Sequence, residues 1–477
     1  MNLFTISDFT KAIKEKKISV KEVIDHHLQR IEKHNPDLQA FLRLNEEGLK
    51  NIANFMPKGP LAGIPLGIKD MFCTKGLKTT AASKMLENYT PAYSATVVER
   101  LQEAGAFVLG KCNNDEFAMG STGKNSSFGT TKNPWNRLHV SGGSSSGSAS
   151  AVAARLCPAS LGTDTGGSIR LPAHYCNLVG IKPTYGRVSR YGIIAYASSL
   201  DQAGPLTHTV EDGALILDMI TGSDSKDLTT ADLPPTNFHQ QLNPQIKGKK
   251  VCYFNMENQE EVDPEIRESQ KQVLKVLKSK GCHLIEKKWP FLDYGVPVYY
   301  LISTSEASSN LSRYDGVRYG LRSQKSPKSL KDFYGFNRKE GFGLEVQRRI
   351  LMGTFSLSSG YYDKYFYKAC QVRQLIKTSF EDIFKECDAI LSPVSSTTAP
   401  RIKEEVGVLK NYLNDQFTVF ANLTGLPALT LPVAFSKNKL PIGAQLIGPA
   451  FKEQNILDIA LSLEKEFQLY KERPNGI

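Results

Sequence analysis

Three short segments carry side chains suited to nucleophilic chemistry. The first, Gly63-Ile-Pro-Leu-Gly-Ile-Lys69-Asp70, ends an apolar, glycine-flanked run in a lysine. Poor solvation disfavours an ammonium and lowers its pKa, and a neutral amine is a general base near pH 7. The plainer reading of Lys69 is a strand-end lysine paired with its neighbour Asp70. The second segment, Ser141-Gly-Gly-Ser-Ser-Ser-Gly-Ser148, has the composition of a linker but runs directly into Ala149-Ser-Ala-Val-Ala-Ala-Arg155, a helix-forming stretch. A glycine-rich loop feeding a helix is built for close approach of backbone to another group. The third, Leu161-Gly-Thr-Asp-Thr-Gly-Gly-Ser168-Ile-Arg-Leu-Pro172, places two glycines immediately before a serine. Such a turn exposes a hydroxyl and points successive N–H groups at a developing oxyanion. A structural turn or a phosphate nest would use the same glycines, but no lysine follows Gly167 as a phosphate-binding loop requires.

A Ser-His-Asp arrangement competes with a lysine base. His174 lies six residues after Ser168, yet no Gly-x-Ser-x-Gly elbow surrounds that serine, so a structural histidine is the better reading. The eight cysteines are scattered, with no Cys-x-x-Cys pair, so neither a metal site nor a disulfide framework is expected.

These segments need a scaffold. Residues 7 to 33 read as two amphipathic helices, the second opened by the capping box Ser19-Val-Lys-Glu22. Between about 60 and 212, short apolar runs such as Ala106-Phe-Val-Leu109 alternate with Gly- and Ser-rich turns. Residues 251 to 287 read as strand, helix, strand, with Asp263 as N-cap, Pro264 at the first helical position and Gly281 as the stop. A second helix near 369–385 runs into Ala389-Ile-Leu391. The alternation predicts an α/β fold, a large central mixed sheet covered by helices on both faces. No repeat or long linker divides the 477 residues, so a single domain over 1–477 is expected. A catalytic core at about 60–212 would be joined by a substrate-pocket and partner-facing region at about 290–420. No apolar stretch is long enough for a bilayer and no secretory signal opens the chain, which predicts a protein of the bacterial cytoplasm, with an organelle as the alternative, and no membrane partner. The formal charge of +11 is dispersed; the densest cluster, Lys247-Gly-Lys-Lys250, reads as a solvated turn. Direct, dominant nucleic-acid binding is therefore not expected.

Taken together, the lysine, the loop, the Gly-Gly-Ser-Ile-Arg element and the run Gly180-Ile-Lys-Pro-Thr184 resemble the amidase signature family, in which the two serines stand 24 positions apart, as Ser144 and Ser168 do. The resemblance implies Lys69 as base, Ser168 as acyl-forming nucleophile and Ser144 as relay, reached through a cis peptide after Gly143. It also implies oxyanion-hole amides from Thr165, Gly166 and Gly167 together with Ser168. Ser146 departs from the family, which usually has glycine there.

Further segments are similar to the glutamine-hydrolysing subunits of tRNA-dependent amidotransferases. They include Asn113-Asn-Asp-Glu-Phe-Ala-Met-Gly-Ser-Thr122, Lys182-Pro-Thr-Tyr-Gly-Arg-Val-Ser-Arg190, Ala197-Ser-Ser-Leu-Asp-Gln-Ala-Gly-Pro205, Ser305-Glu-Ala-Ser-Ser-Asn-Leu-Ser-Arg-Tyr-Asp315 and Gly353-Thr-Phe-Ser-Leu-Ser-Ser-Gly-Tyr-Tyr362. That likeness implies glutamine as substrate, and ammonia passed to a tRNA-binding B subunit with kinase and transamidase activity, assisted by a small C subunit. No cofactor is implied for this chain, and ATP and Mg are left to the partner. A free-standing amidase of broad specificity is the alternative. A glutamine pocket needs a guanidinium for the α-carboxylate and a carboxylate for the α-ammonium. The resembling positions are Arg348, Asp415 and Tyr299, with Arg349 and Tyr300 each one residue away as rivals. Asp115 and Glu116 would line an ammonia route or cap a helix.

Overall fold

The computed structural model of the chain describes residues 3–257, 259–404, 407 and 412–477. Its frame is one mixed sheet of 11 strands. In chain order these are β1 (Phe41–Leu44), β2 (Pro65–Lys69), β3 (Phe107–Cys112), β4 (Ala159–Asp164), β5 (Val179–Lys182) and β6 (Gln202–Thr207), followed by β7 (Lys250–Phe254), β8 (His283–Lys287), β9 (Ala389–Pro393), β10 (Ala428–Phe435) and β11 (Pro441–Ile447). Across the sheet the order is β1-β3-β2-β4-β6-β5-β10-β11-β9-β7-β8. β2 runs parallel to both β3 and β4, and β7 parallel to both β8 and β9, whereas the β4-β6-β5-β10-β11-β9 stretch is antiparallel.

Every residue of β2, β3, β4, β5, β6, β9 and β11 is buried. Strands without an exposed face belong to a sheet covered on both sides, which is why their sequences read as continuous apolar runs. Buried polar side chains interrupt these runs, Lys111, Ser160, Ser392 and Gln445 among them; Lys69 and Asp164 close β2 and β4 and open onto loops.

The N-terminal helices span Ile6–Lys14 and Val20–Leu38, the second five residues longer than its apolar stripe suggested. Both open with a complete capping box: Ser19 Oγ accepts from Glu22 N–H at 3.2 Å and Glu22 returns the bond to Ser19 N–H at 2.8 Å. The Pro264–Ser279 helix lies between β7 and β8 as expected, but the Asp263 side chain makes no cap hydrogen bond. Pro264, at the first helical position, leaves the helix one unpaired N–H fewer. The Lys368–Ile383 helix leads into β9. Among the described residues no helix is long and apolar enough to cross a membrane.

Replacing Ser19 by Ala is expected to lower the unfolding free energy by about 0.5–2 kcal/mol, because it orphans the Glu22 N–H. A shift of the urea midpoint to lower concentration, with unchanged slope, is the measurement that checks it.

Candidate active site

β2 lies between β3 and β4, so its last residue emerges in the middle of the sheet's parallel part. Lys69 is fully buried there. Its Nζ stands 2.7 Å from Ser144 Oγ, 2.7 Å from Thr163 Oγ1 and 3.0 Å from Ser145 Oγ. The plainer pairing with Asp70 does not form. Asp70 is taken by Arg43 at 2.9 Å and by the Thr80 hydroxyl, and it lies 3.9 Å from Lys111. Three hydroxyls and no contacting carboxylate give the amine a polar but uncharged shell. Burial holds its pKa down to about 7, against the pull of the more distant Asp115, Asp164 and Asp201.

Ser144 belongs to the loop ahead of the Ser146–Ala153 helix, and the Gly143–Ser144 peptide is cis. The loop is clamped from one side by Asp115, whose N–H donates to the Ser144 carbonyl at 3.1 Å. The Asp115 carboxylate in turn accepts from the N–H groups of Gly123 and Asn125, both at 2.9 Å. It therefore organises loops and does not cap the 116–118 turn. Glu116 bridges the Ser83 hydroxyl and the Gly343 N–H, the latter at 2.8 Å. Ser146 is accommodated in place of glycine at the first position of the helix, its hydroxyl 3.2 Å from that of Thr131.

Ser168 is 8% exposed, and its carbonyl accepts from Ser145 N–H at 3.2 Å, which ties the turn to the serine loop. Among the described residues its hydroxyl has no hydrogen-bond partner, so it is free to rotate into the cleft. The turn before it is shaped by contacts no substituent would survive. A Cβ on Gly166 would lie 2.5 Å from the Tyr299 ring; Gly167 has φ +134°, and a Cβ there would collide with Thr418 Oγ1. Thr418 Oγ1 donates to the Gly166 carbonyl at 2.6 Å.

Behind the turn, the Asp164 carboxylate accepts from Gly167 N–H at 2.9 Å and Ile169 N–H at 3.1 Å. This corrects one expectation: the Gly167 amide is directed backward to Asp164 and not at a substrate. Among the described residues the N–H groups of Thr165, Gly166 and Ser168 remain without partners. Arg170 holds Asp164 in place, Nη2 to Oδ1 at 2.9 Å and Nε to Oδ2 at 3.1 Å, and also reaches Asn422 at 2.6 Å and Gln445 at 2.5 Å. Burial would raise the Asp164 pKa, but Arg170 and Lys182 overcome it and bring it down to about 2. His174 is structural: its Nδ1 accepts from Gly443 N–H at 2.7 Å, and burial holds its pKa down to about 4.

Of the predicted pocket residues, Tyr299 lies directly against this turn, and Asp415 is joined to it through Tyr300. Tyr299, against Gly166, makes edge contact with Tyr300, which stacks on Tyr412 with ring centroids 3.9 Å apart. Tyr300 Oη donates to Asp415 at 3.4 Å, and burial raises the Asp415 pKa to about 7. The two adjacent arginines differ. Arg349 is buried, with Nη1 2.8 Å from Tyr196 Oη and its guanidinium within 5.6 Å of the Tyr196, Tyr300 and Tyr412 ring centres. Arg348 keeps a side chain 36% exposed. Both line a cavity of about 140 Å³ with Glu345, Tyr412 and the 120–125 loop. Ser145, Thr163, Asp164, Thr418 and Asn422 were not singled out from the sequence. Asp164 alone left a signal there, as an acidic residue inside the Gly-Gly-Ser element. Among the described residues no group of three His, Cys, Asp or Glu side chains is placed to hold a metal ion.

Comparison with known proteins matches residues 22–457 to the amidase family model. The A subunit of the glutamyl-tRNA(Gln) amidotransferase of Bdellovibrio bacteriovorus is 50% identical over 471 residues, 96% of each chain. Its counterpart in Geobacillus kaustophilus is 47% identical over 99% of this chain and 100% of its own. The crystal structure of the same amidotransferase component from Thermotoga maritima superposes with a TM-score of 0.81, at 39% identity, over 97% of this chain and 95% of that one.

Arg170→Met is expected to destabilise the protein by about 3–5 kcal/mol, since it leaves the Asp164 carboxylate buried and unpaired. Chemical denaturation followed by tryptophan fluorescence measures this, and loss of the turn's geometry should remove activity in parallel.

Proposed function

The chain belongs to the amidase signature family, and we propose that it hydrolyses glutamine as the A subunit of a tRNA-dependent amidotransferase. The observation that carries the chemistry is the buried Lys69 amine 2.7 Å from Ser144 Oγ, beside the turn that presents Ser168. The neutral amine accepts the Ser144 proton while Ser144 takes that of Ser168, whose oxygen attacks the side-chain carboxamide carbon of glutamine. The oxyanion that develops faces the free amides of Thr165, Gly166 and Ser168. Collapse breaks the C–N bond, the proton returns through Ser144 to the nitrogen, and ammonia leaves an ester on Ser168. Water, activated by the same lysine, releases glutamate.

Whole-length similarity to proteins named as A subunits favours this over a free-standing amidase of broad specificity. In this reading Arg348 receives the substrate's α-carboxylate, Asp415 its α-ammonium, and Tyr299 closes the pocket over the turn. The ammonia goes to a B subunit that holds the tRNA, assisted by a small C subunit. ATP and Mg are used by that partner, with no cofactor on this chain. The setting is the bacterial cytoplasm.

Ser168→Ala should lower glutamate release from glutamine by at least about 10⁴-fold, and Lys69→Ala nearly as far, in a coupled glutaminase assay. Substantial activity in Ser168→Ala would remove the assigned nucleophile. The pH dependence follows from Lys69. The base is active when neutral and its pKa is lowered to about 7, so kcat/KM should fall tenfold per unit below pH 7 and level off above it. A pH–rate profile flat between about 5.5 and 8 would contradict a lysine base.

A further inference from the structure

Two arginines follow one another on the Leu344–Ser356 helix, and a single carboxylate serves both. Glu345 Oε1 accepts from Arg349 Nε at 2.9 Å and from Tyr412 Oη at 3.1 Å, while its Oε2 pairs with Arg348 Nη1. The Glu345 side chain is 12% exposed. Arg349 is fixed further by Tyr196 and by its aromatic neighbours, whereas Glu345 is the sole partner of Arg348 among the described residues. Arg348 thus keeps most of its donors unused at the rim of the cavity it shares with Glu345.

We infer that Glu345 is a positioning residue for substrate recognition, holding the Arg348 guanidinium toward the cavity and cancelling the charge of Arg349. The inference rests on the reading of Arg348 as the contact for the α-carboxylate. Two neighbouring guanidiniums without a counter-ion repel each other and bind anions indiscriminately; with one shared carboxylate the pair carries one net positive charge, matched to one substrate carboxylate. A carboxylate accepts from both guanidiniums at once. A glutamine side chain in its place has one acceptor oxygen, and its NH₂ would face the second guanidinium as donor against donor.

The test is steady-state glutaminase kinetics on E345Q, E345D and R348M, each assayed with the subunits that purify with it. E345Q is expected to raise KM for glutamine by about 10- to 100-fold with kcat changed by less than about threefold. The inhibition constant of the product glutamate, which bears the same α-carboxylate, should rise in parallel. E345D keeps the charge on a shorter arm and should show a smaller rise, and it carries the test alone if E345Q does not fold. A KM unchanged in both Glu345 variants while R348M raises it overturns the inference. So does a loss of kcat as large as the rise in KM, which marks a merely structural role. An unchanged KM in R348M overturns the reading of Arg348 itself, and the inference with it.

Discussion

The site depends on keeping one amine nitrogen dry. An ammonium at Lys69 would have no lone pair and could not take a proton from Ser144. Water would restore the ammonium at neutral pH, and so would a carboxylate in direct contact. The fold avoids both. β2 delivers the lysine between β3 and β4, where both faces of the sheet are covered, and among the described residues the nitrogen meets the hydroxyls of Ser144, Ser145 and Thr163 and, at 3.5 Å, the Thr163 carbonyl. The one carboxylate adjacent in sequence, Asp70, is turned away and occupied by Arg43. Hydroxyls satisfy the amine's hydrogen-bonding capacity without setting a formal negative charge against it.

A second constraint acts on the nucleophile. A Gly-Gly-Ser turn can take many shapes, and a catalytic one must leave its amides facing the cleft. Asp164 imposes the shape from behind by accepting the N–H groups of Gly167 and Ile169. A buried carboxylate could not do this alone, because burial favours its neutral form. Arg170 holds it ionised, and Asn422 and Gln445 from distant parts of the chain hold Arg170. The turn's geometry is thus specified by the sheet's far half, which explains why a short loop can be rigid. Gly167 gives up its amide to this arrangement, while Thr165, Gly166 and Ser168 keep theirs.

The pocket side follows different physics. Tyr299 and Tyr300 project from the Leu292–Asn310 helix, and Tyr412 stacks on Tyr300 to form an aromatic wall against the turn. Arg349 packs against this wall and stabilises it. Charged groups there are organised by sharing, one carboxylate to two guanidiniums.

Local signals settled a good deal from the sequence alone. The apolar run ending in Lys69, the capping box at Ser19 and the strand–helix–strand of 251–287 each depend on neighbours within a few residues and form as expected, apart from the Asp263 cap; the Gly-Gly turn before Ser168 forms too, but with the Gly167 amide turned back to Asp164. The match of several such segments at once carried the family and the α/β sheet. What the sequence left open were choices between alternatives of equal local merit. Whether Lys69 meets Asp70 or Ser144, 75 positions away, is decided by strand order. Which of Arg348 and Arg349 is free is decided by the wall of tyrosines, since adjacent helical residues point in different directions and only packing tells which is inside. That Gly167 donates backward depends on a carboxylate held by Arg170 and by residues more than 250 positions on. Local stereochemistry offers hydroxyls, amides and charges; which of them meet is set by long-range burial, and burial is a property of the assembled sheet.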